Sequence, residues 1–147
     1  MPFAFEHDGV LLHGRLDILH RAAGRALIVD FKTNVLGDRT PAEVVAADYT
    51  LQRLVYALAC LRAGDAEVEV AYVFLERPAE VVAATFMTTD EAALEAELSA
   101  AIDRINRGEF VPSPGEFTCA GCPALDLVCA GPRSRNGAVG REAVVGI

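Results

Sequence analysis

Leu27-Ile28-Val29-Asp30-Phe31-Lys32-Thr33 is an apolar run that closes on an acid and a cation two positions apart. The β-branched pair Ile28-Val29 favours an extended chain, so Arg25 to Lys32 is predicted as a strand. Period-two alternation then places Asp30 and Lys32 on one face of the strand and Phe31 on the other. Lys32 is the only lysine in 147 residues, and every other formal positive charge on a side chain is an arginine, twelve in all, with the three histidines counted neutral. An ammonium on a flexible stem is a compact point charge, and it does chemistry that a planar guanidinium does not.

Outward from this strand, Ala22-Ala23-Gly24 reads as a tight turn and residues 10–20 as a preceding strand, itself paired with residues 3–7 across Asp8-Gly9. On that strand Arg15, Asp17 and Leu19 share one face, and a tight turn puts Asp17 opposite Asp30. Facing carboxylates on neighbouring strands repel. A divalent cation between the oxygens relieves the repulsion, and Mg²⁺ suits one or two carboxylates, several waters and a substrate phosphate. The Phe31 carbonyl is a further candidate ligand. Lys32 would then reach a scissile phosphate or the attacking water, steadying negative charge or helping to deprotonate the water. The plain alternative is a pair of solvated strand-end acids with Lys32 as their surface partner.

Thr40-Pro41-Ala42-Glu43 combines an N-cap, a proline at N1 and a capping-box acid. A helix is therefore predicted over about 41–62, with a break near Asp48-Tyr49 and an end at Gly64. Tyr49, Gln52 and Tyr56 fall on one stripe of it, among Leu51, Leu54, Val55 and Leu58. Residues 67–76 and 80–87 read as two more strands, and Thr89 as the cap of a long helix to about Asn106, with Gly108 past its end. The chain from Pro112 on is irregular and rich in proline, glycine and cysteine, and residues 131–147 are expected to be a flexible tail. The fold class expected is mixed α/β: a central sheet of about four or five strands, antiparallel at its start and flanked by helices.

The length suits one domain with a real hydrophobic core. With 52% hydrophobic and 23% charged residues the composition is that of a soluble globular fold. The sequence shows neither a ~20-residue apolar run nor a signal peptide, so a cytoplasmic protein without a membrane partner is expected. A net charge of −8 argues against non-specific nucleic-acid binding by the surface as a whole. There is no internal repeat and no P-loop.

Taken in order, Gly14-Arg15-Leu16-Asp17, Ile28-Val29-Asp30-Phe31-Lys32-Thr33 and Tyr49-Thr50-Leu51-Gln52-Arg53-Leu54-Val55-Tyr56-Ala57 resemble the RecB-type nuclease domain of the PD-(D/E)xK superfamily. The family pattern is G-x-x-D, a strand ending D-x-K-T, and a helix carrying Q-x-x-x-Y. The resemblance spans roughly residues 8–130 and implies a restriction-endonuclease-like fold. It also implies Mg²⁺- or Mn²⁺-dependent, exonuclease-like cleavage of DNA, as the nuclease module of a bacterial helicase–nuclease in double-strand-break repair and recombination. On this likeness Asp17 and Asp30 bind metal, Lys32 is the catalytic lysine, and Gln52, Tyr56 and neighbouring Arg53 lie near the DNA. DNA and a helicase domain or subunit are the implied partners.

The sequence departs from the family at two places. The upstream helix that carries a histidine or glutamate ligand has no counterpart before Asp17, so residues 1–130 are read as a nuclease-like domain lacking that helix. His7 and His13 are poor substitutes for its ligand, although His13 falls on the predicted face of Asp17. Cys119, Cys122 and Cys129 resemble the C-terminal triplet that, with an upstream cysteine, holds a [4Fe-4S] cluster in some relatives, but that upstream cysteine is missing and the last spacing is six residues where those relatives usually have five. Zinc held by the three cysteines plus another ligand is an alternative no better supported, and Cys60 is expected to be a buried small hydrophobe. Arg39 and His20 read as solvated and structural. The competing function is a catalytically inert DNA-end-binding or scaffolding module that keeps the nuclease fold.

Overall fold

β1 (Pro2–His7) and β2 (Val10–Arg15) form an antiparallel hairpin across Asp8-Gly9, and both turn residues take positive φ. That is the backbone a two-residue hairpin loop demands, with an asparagine-like acid and a glycine tolerating it best. These features come from a computed structural model, which describes residues 1–109 together with 119, 122 and 123. The chain divides into two compact units, Met1–Gly108 and Glu109–Ile147. The strands and α-helices named here lie in the first.

The expected strand over 10–20 is in fact two strands in two sheets. β2 ends at Arg15, and β3 (Ile18–Ala22) begins a second sheet. Leu16 between them is buried in the core and its N–H is held by the Met1 carbonyl at 2.8 Å, so the chain pivots there. The pivot breaks the alternation on which Arg15, Asp17 and Leu19 were placed on one face.

β3 pairs antiparallel with β4 (Arg25–Lys32) across the tight turn at Ala23-Gly24, with Ile18 opposite Val29. One step further in that register Asp17 stands opposite Asp30, as the hairpin argument requires. β4 then pairs in parallel with β5 (Glu67–Phe74), which pairs antiparallel with β6 (Val82–Met87), giving the order β3-β4-β5-β6. The result is the expected mixed α/β class: a four-stranded mixed sheet with a separate two-stranded one.

A parallel pair needs a long crossover, here supplied by α1 (Pro41–Asp48) and α2 (Thr50–Leu61). Thr40 caps α1, taking the Glu43 N–H, while the Glu43 side chain returns a bond to the Thr40 N–H. That backbone bond is the main reason the Glu43 carboxyl sits below its usual pKa. The expected break falls between the two helices, which meet at 76° around Tyr49. Gly64, at positive φ, ends α2.

The last helix, α3 (Glu91–Asn106), differs from expectation at its start. Thr89 lies inside a short 3₁₀ turn, and it is the Asp90 carboxylate that takes a backbone donor, the Met87 N–H at 2.8 Å. Ile28, Val68, Val70, Tyr72 and Phe74 from one face of the sheet pack with Val44, Leu54, Leu58, Leu94, Leu98 and Ile102 from the helices. Among the described residues no single helix is long and apolar enough to cross a membrane.

Candidate active site

At the C-terminal end of β4 the inner face of the sheet stops being apolar. Asp30 and Lys32 continue the buried alternation begun by Ala26 and Ile28, so both lie in the interior, 4% and 9% exposed. Phe31 between them points the other way and is 43% exposed. Charged groups at such depth persist only when paired and hydrogen-bonded. Lys32 Nζ lies 2.7 Å from Asp30 Oδ1 and donates to Gln52 Oε1 at 2.8 Å. Gln52 Nε2 donates to the Tyr56 hydroxyl at 3.0 Å, and that hydroxyl donates to Asp30 Oδ2 at 3.0 Å. The four side chains close a ring.

The ring fixes its own polarity. An ammonium only donates, so the Gln52 oxygen must face Lys32 and its NH₂ must face Tyr56. Tyr56 has one proton to give, and Asp30 takes it. Burial raises the Tyr56 pKa well above the ordinary phenol value, and the charges of Asp30 and Asp17 raise it further. Tyr56 therefore stays a donor at any working pH. No buried side-chain polar atom is left without a partner among the described residues.

Two elements place this ring. Gln52 and Tyr56 sit four residues apart on α2 and so share its inner face. The hairpin β1–β2 supports them from behind, with the Phe3 ring edge-on to Tyr56 at 5.9 Å. Gly14 makes that contact feasible: a Cβ there would meet the Phe3 ring at 2.7 Å. The glycine of the G-x-x-D motif is thus needed for space, so that an aromatic ring can lie flat on the strand.

Asp17 is exposed, and its Oδ2 accepts the Phe31 N–H at 3.0 Å. In a strand, the N–H and C=O of one residue point to the same side. Lys32 turns its carbonyl toward β5, where the Leu75 N–H binds it, so the Phe31 carbonyl faces the Asp17 side. Two carboxylates and a carbonyl form an all-oxygen donor set, the kind that suits Mg²⁺ or Mn²⁺. Their two negative charges exceed the single positive charge of Lys32, which makes the place attractive to a cation. Asp17, Asp30 and the Phe31 carbonyl fit a divalent ion and are the groups that would hold it. Among the described residues no three side chains of His, Cys, Asp or Glu cluster as a metal site.

Other expected contributors are placed elsewhere. His13 is exposed on β2 opposite Ala4, in the other sheet, and does not join Asp17. His7 bonds Ser99 and Arg62. Arg53 follows Gln52 on α2, half-buried, and its charge acts on Tyr72. Arg39 pairs with Asp48 at 3.4 Å on the surface, and His20 is exposed on β3. Cys60 is buried in α2, where burial raises its thiol pKa, as befits a small hydrophobe. Cys119 and Cys122 are free thiols, with the Cys122 N–H on the Cys119 carbonyl at 3.2 Å. Cys129 and the 131–147 tail lie outside the described residues.

Tyr49 is the neighbour to which the sequence assigned no role. Its ring lies 3.9 Å from Lys32 Nζ and is stacked on Tyr72 at 5.6 Å. The signal was present in the stripe of Tyr49, Gln52 and Tyr56, but its direction depends on the bend between α1 and α2.

No curated protein and no solved structure matches the chain. The mixed sheet with its flanking helices, and the acid–lysine pair at the end of β4, agree with a restriction-endonuclease-like fold. The sequence profile of the PD-(D/E)XK nuclease superfamily matches residues 1–129, and the chain belongs to that superfamily.

Proposed function

We propose that the chain is a Mg²⁺- or Mn²⁺-dependent deoxyribonuclease, exonuclease-like, serving as the nuclease module of a helicase–nuclease in double-strand-break repair and recombination. The observation that carries this reading is the closed ring of Asp30, Lys32, Gln52 and Tyr56 beside the Asp17 carboxylate. When bound, a divalent cation supplies an acidified water and charge neutralisation at the departing oxygen. Asp17, Asp30 and the Phe31 carbonyl would hold it, and Lys32 would present a fixed positive charge where negative charge grows on the phosphate. In this arrangement Lys32 faces a carboxylate and an amide oxygen, both acceptors, so it acts as a donor and charge stabiliser rather than as a base. Gln52 and Tyr56 hold Lys32 and Asp30 in place, and Arg53 offers a cation to the DNA backbone.

The acidic surface is compatible with this role. A nuclease tethered to a motor need not capture DNA alone, because tethering raises the local concentration of the strand. The test is cleavage of single-stranded and duplex DNA with Mg²⁺ or Mn²⁺ by the full protein. Asp30→Ala and Lys32→Ala are each expected to abolish cutting while circular dichroism reports a folded chain. Cutting by either variant at the wild-type rate removes the catalytic assignment. Binding of DNA ends without cutting by the wild type supports the inert end-binding module instead.

A further inference from the structure

We infer that Tyr49 is a positioning residue for Lys32, its ring face being the seat that holds the ammonium on Asp30. The inference rests on the nuclease reading above for its catalytic consequence, though not for the contact itself. An ammonium has three donors. Asp30 Oδ1 and Gln52 Oε1 take two of them, at 2.7 and 2.8 Å. On a further side lies the Tyr49 ring, 3.9 Å from Nζ to its centroid, and the Tyr72 ring flanks the ammonium beside it at 5.3 Å. The negative π face attracts a cation at this range, and more strongly where water is excluded. Lys32 is nearly buried, so the seat is largely dry.

Tyr49 is itself held from several directions. Its ring stacks on Tyr72 and meets Phe74 at 61° and 6.5 Å. Its hydroxyl donates to Asn34 Oδ1 at 2.9 Å, and its carbonyl accepts the Tyr72 hydroxyl at 3.4 Å. Its backbone, at φ −122° and ψ 8°, is the corner between α1 and α2. A straight helix over 41–61 would carry this ring elsewhere, so the break has a purpose: it turns Tyr49 onto Lys32. Without the ring, Lys32 keeps Asp30, Gln52 and the more distant Tyr72 ring but loses the nearest wall that stops its long stem from sampling other rotamers. Displacement of a charge-stabilising group by even 1 Å lowers rate more than binding.

The experiment replaces Tyr49 by phenylalanine and then by increasingly fluorinated phenylalanines, which keep the ring's shape while draining its negative face. Tyr49→Leu removes the ring. In the nuclease assay kcat is expected to fall stepwise with fluorination at constant KM, reaching a loss of roughly 2- to 30-fold. Tyr49→Phe is expected to lose less than any fluorinated form. A readout independent of cleavage comes from the composition: the chain has one lysine, so ¹³C-lysine labelling gives a single set of side-chain signals. Ring current shifts its methylene protons upfield in the wild type, and Tyr49→Leu is expected to move them downfield while Tyr49→Phe does not. A flat kcat across the fluorinated series, or a lysine signal indifferent to Tyr49→Leu, overturns the inference. A wild type that cuts no DNA overturns the nuclease reading instead, and the lysine signal then decides alone whether the ring seats the ammonium.

Discussion

The ring around Lys32 and the cluster around Arg62 both tie a helix to strands, yet they use opposite cations in opposite settings. Arg62, at the end of α2, is partly exposed and spreads its planar fork over two elements, β1 and α3. It donates to the Glu6 carbonyl at 2.8 Å, lies 2.8 Å from His7 Nδ1, pairs with Glu95 on α3, and covers the Phe5 ring at 4.9 Å. Because a guanidinium only donates, His7 must accept at Nδ1 and give its Nε2 proton to Ser99 Oγ. That assignment leaves Ser99 without a base, so this constellation is a strap and not a nucleophile. Lys32 is instead a point charge at the edge of the core, with each neighbour also serving another member of its ring. An exposed cluster can lose a member to water; a buried ring leaves its remaining members unpaired.

The sharpest way to break the comparison is to exchange the cations. Lys32→Arg keeps the charge but forces a planar fork into a seat shaped for an ammonium. It is expected to lower kcat at least ~100-fold, the scale seen when a transition-state donor is lost. Arg62→Lys is expected to leave cleavage unchanged. Equal activity of the two variants would dissolve the distinction.

Stability gives the next largest contrast. Asp30→Ala strands the Lys32 ammonium and should cost about 3–5 kcal/mol in urea unfolding, though the chain remains folded. Glu95→Ala removes a carboxylate that is 38% exposed, and should cost under ~1 kcal/mol. Similar midpoints for the two would mean that Lys32 finds a solvent escape when its partner is gone.

A smaller effect lies at alkaline pH. Burial raises the pKa values of Tyr56 and Tyr72, so the folded chain holds these protons more tightly than the unfolded chain does. The unfolded state therefore releases protons first, and unfolding is favoured as pH rises. Their contribution to stability is whole below about pH 10 and declines above it. Tyr56→Phe should flatten that decline and cost about 1–2 kcal/mol at neutral pH, through the loss of its bonds to Asp30 and Gln52. An unaltered alkaline slope would place the sensitivity in Tyr72 alone.

Most of the fold-defining detail was local and therefore legible. Asp8-Gly9 and Ala23-Gly24 announce two-residue turns, Thr40-Pro41-Ala42-Glu43 announces a helix start, and Asp30-Phe31-Lys32 carries its own facing rule. What escaped depends on contacts distant in sequence. The pivot at Leu16 needs the Met1 carbonyl and a place in the core, neither of which alternation can see. Thr89 looks like a cap, but Asp90 is the residue whose carboxylate reaches back to Met87. For the candidate site, the Asp30, Lys32, Gln52 and Tyr56 set followed from periodicity and resemblance. Tyr49 did not, because its aim is set by the 76° bend at the helix break.

The crossover from β4 through α1 and α2 to β5 has a consequence for how the site comes into being. Arg15 to Phe74 contains every group of the ring, its tyrosine seat and the buried Tyr72 beside it. β6 and α3 contribute packing but none of these contacts. Loop-closure entropy grows only slowly with loop length, and the loops joining Asp17, Lys32, Gln52 and Tyr56 are short. On a ribosome, the first unit thus has all the members of this ring synthesised before its last strand and helix.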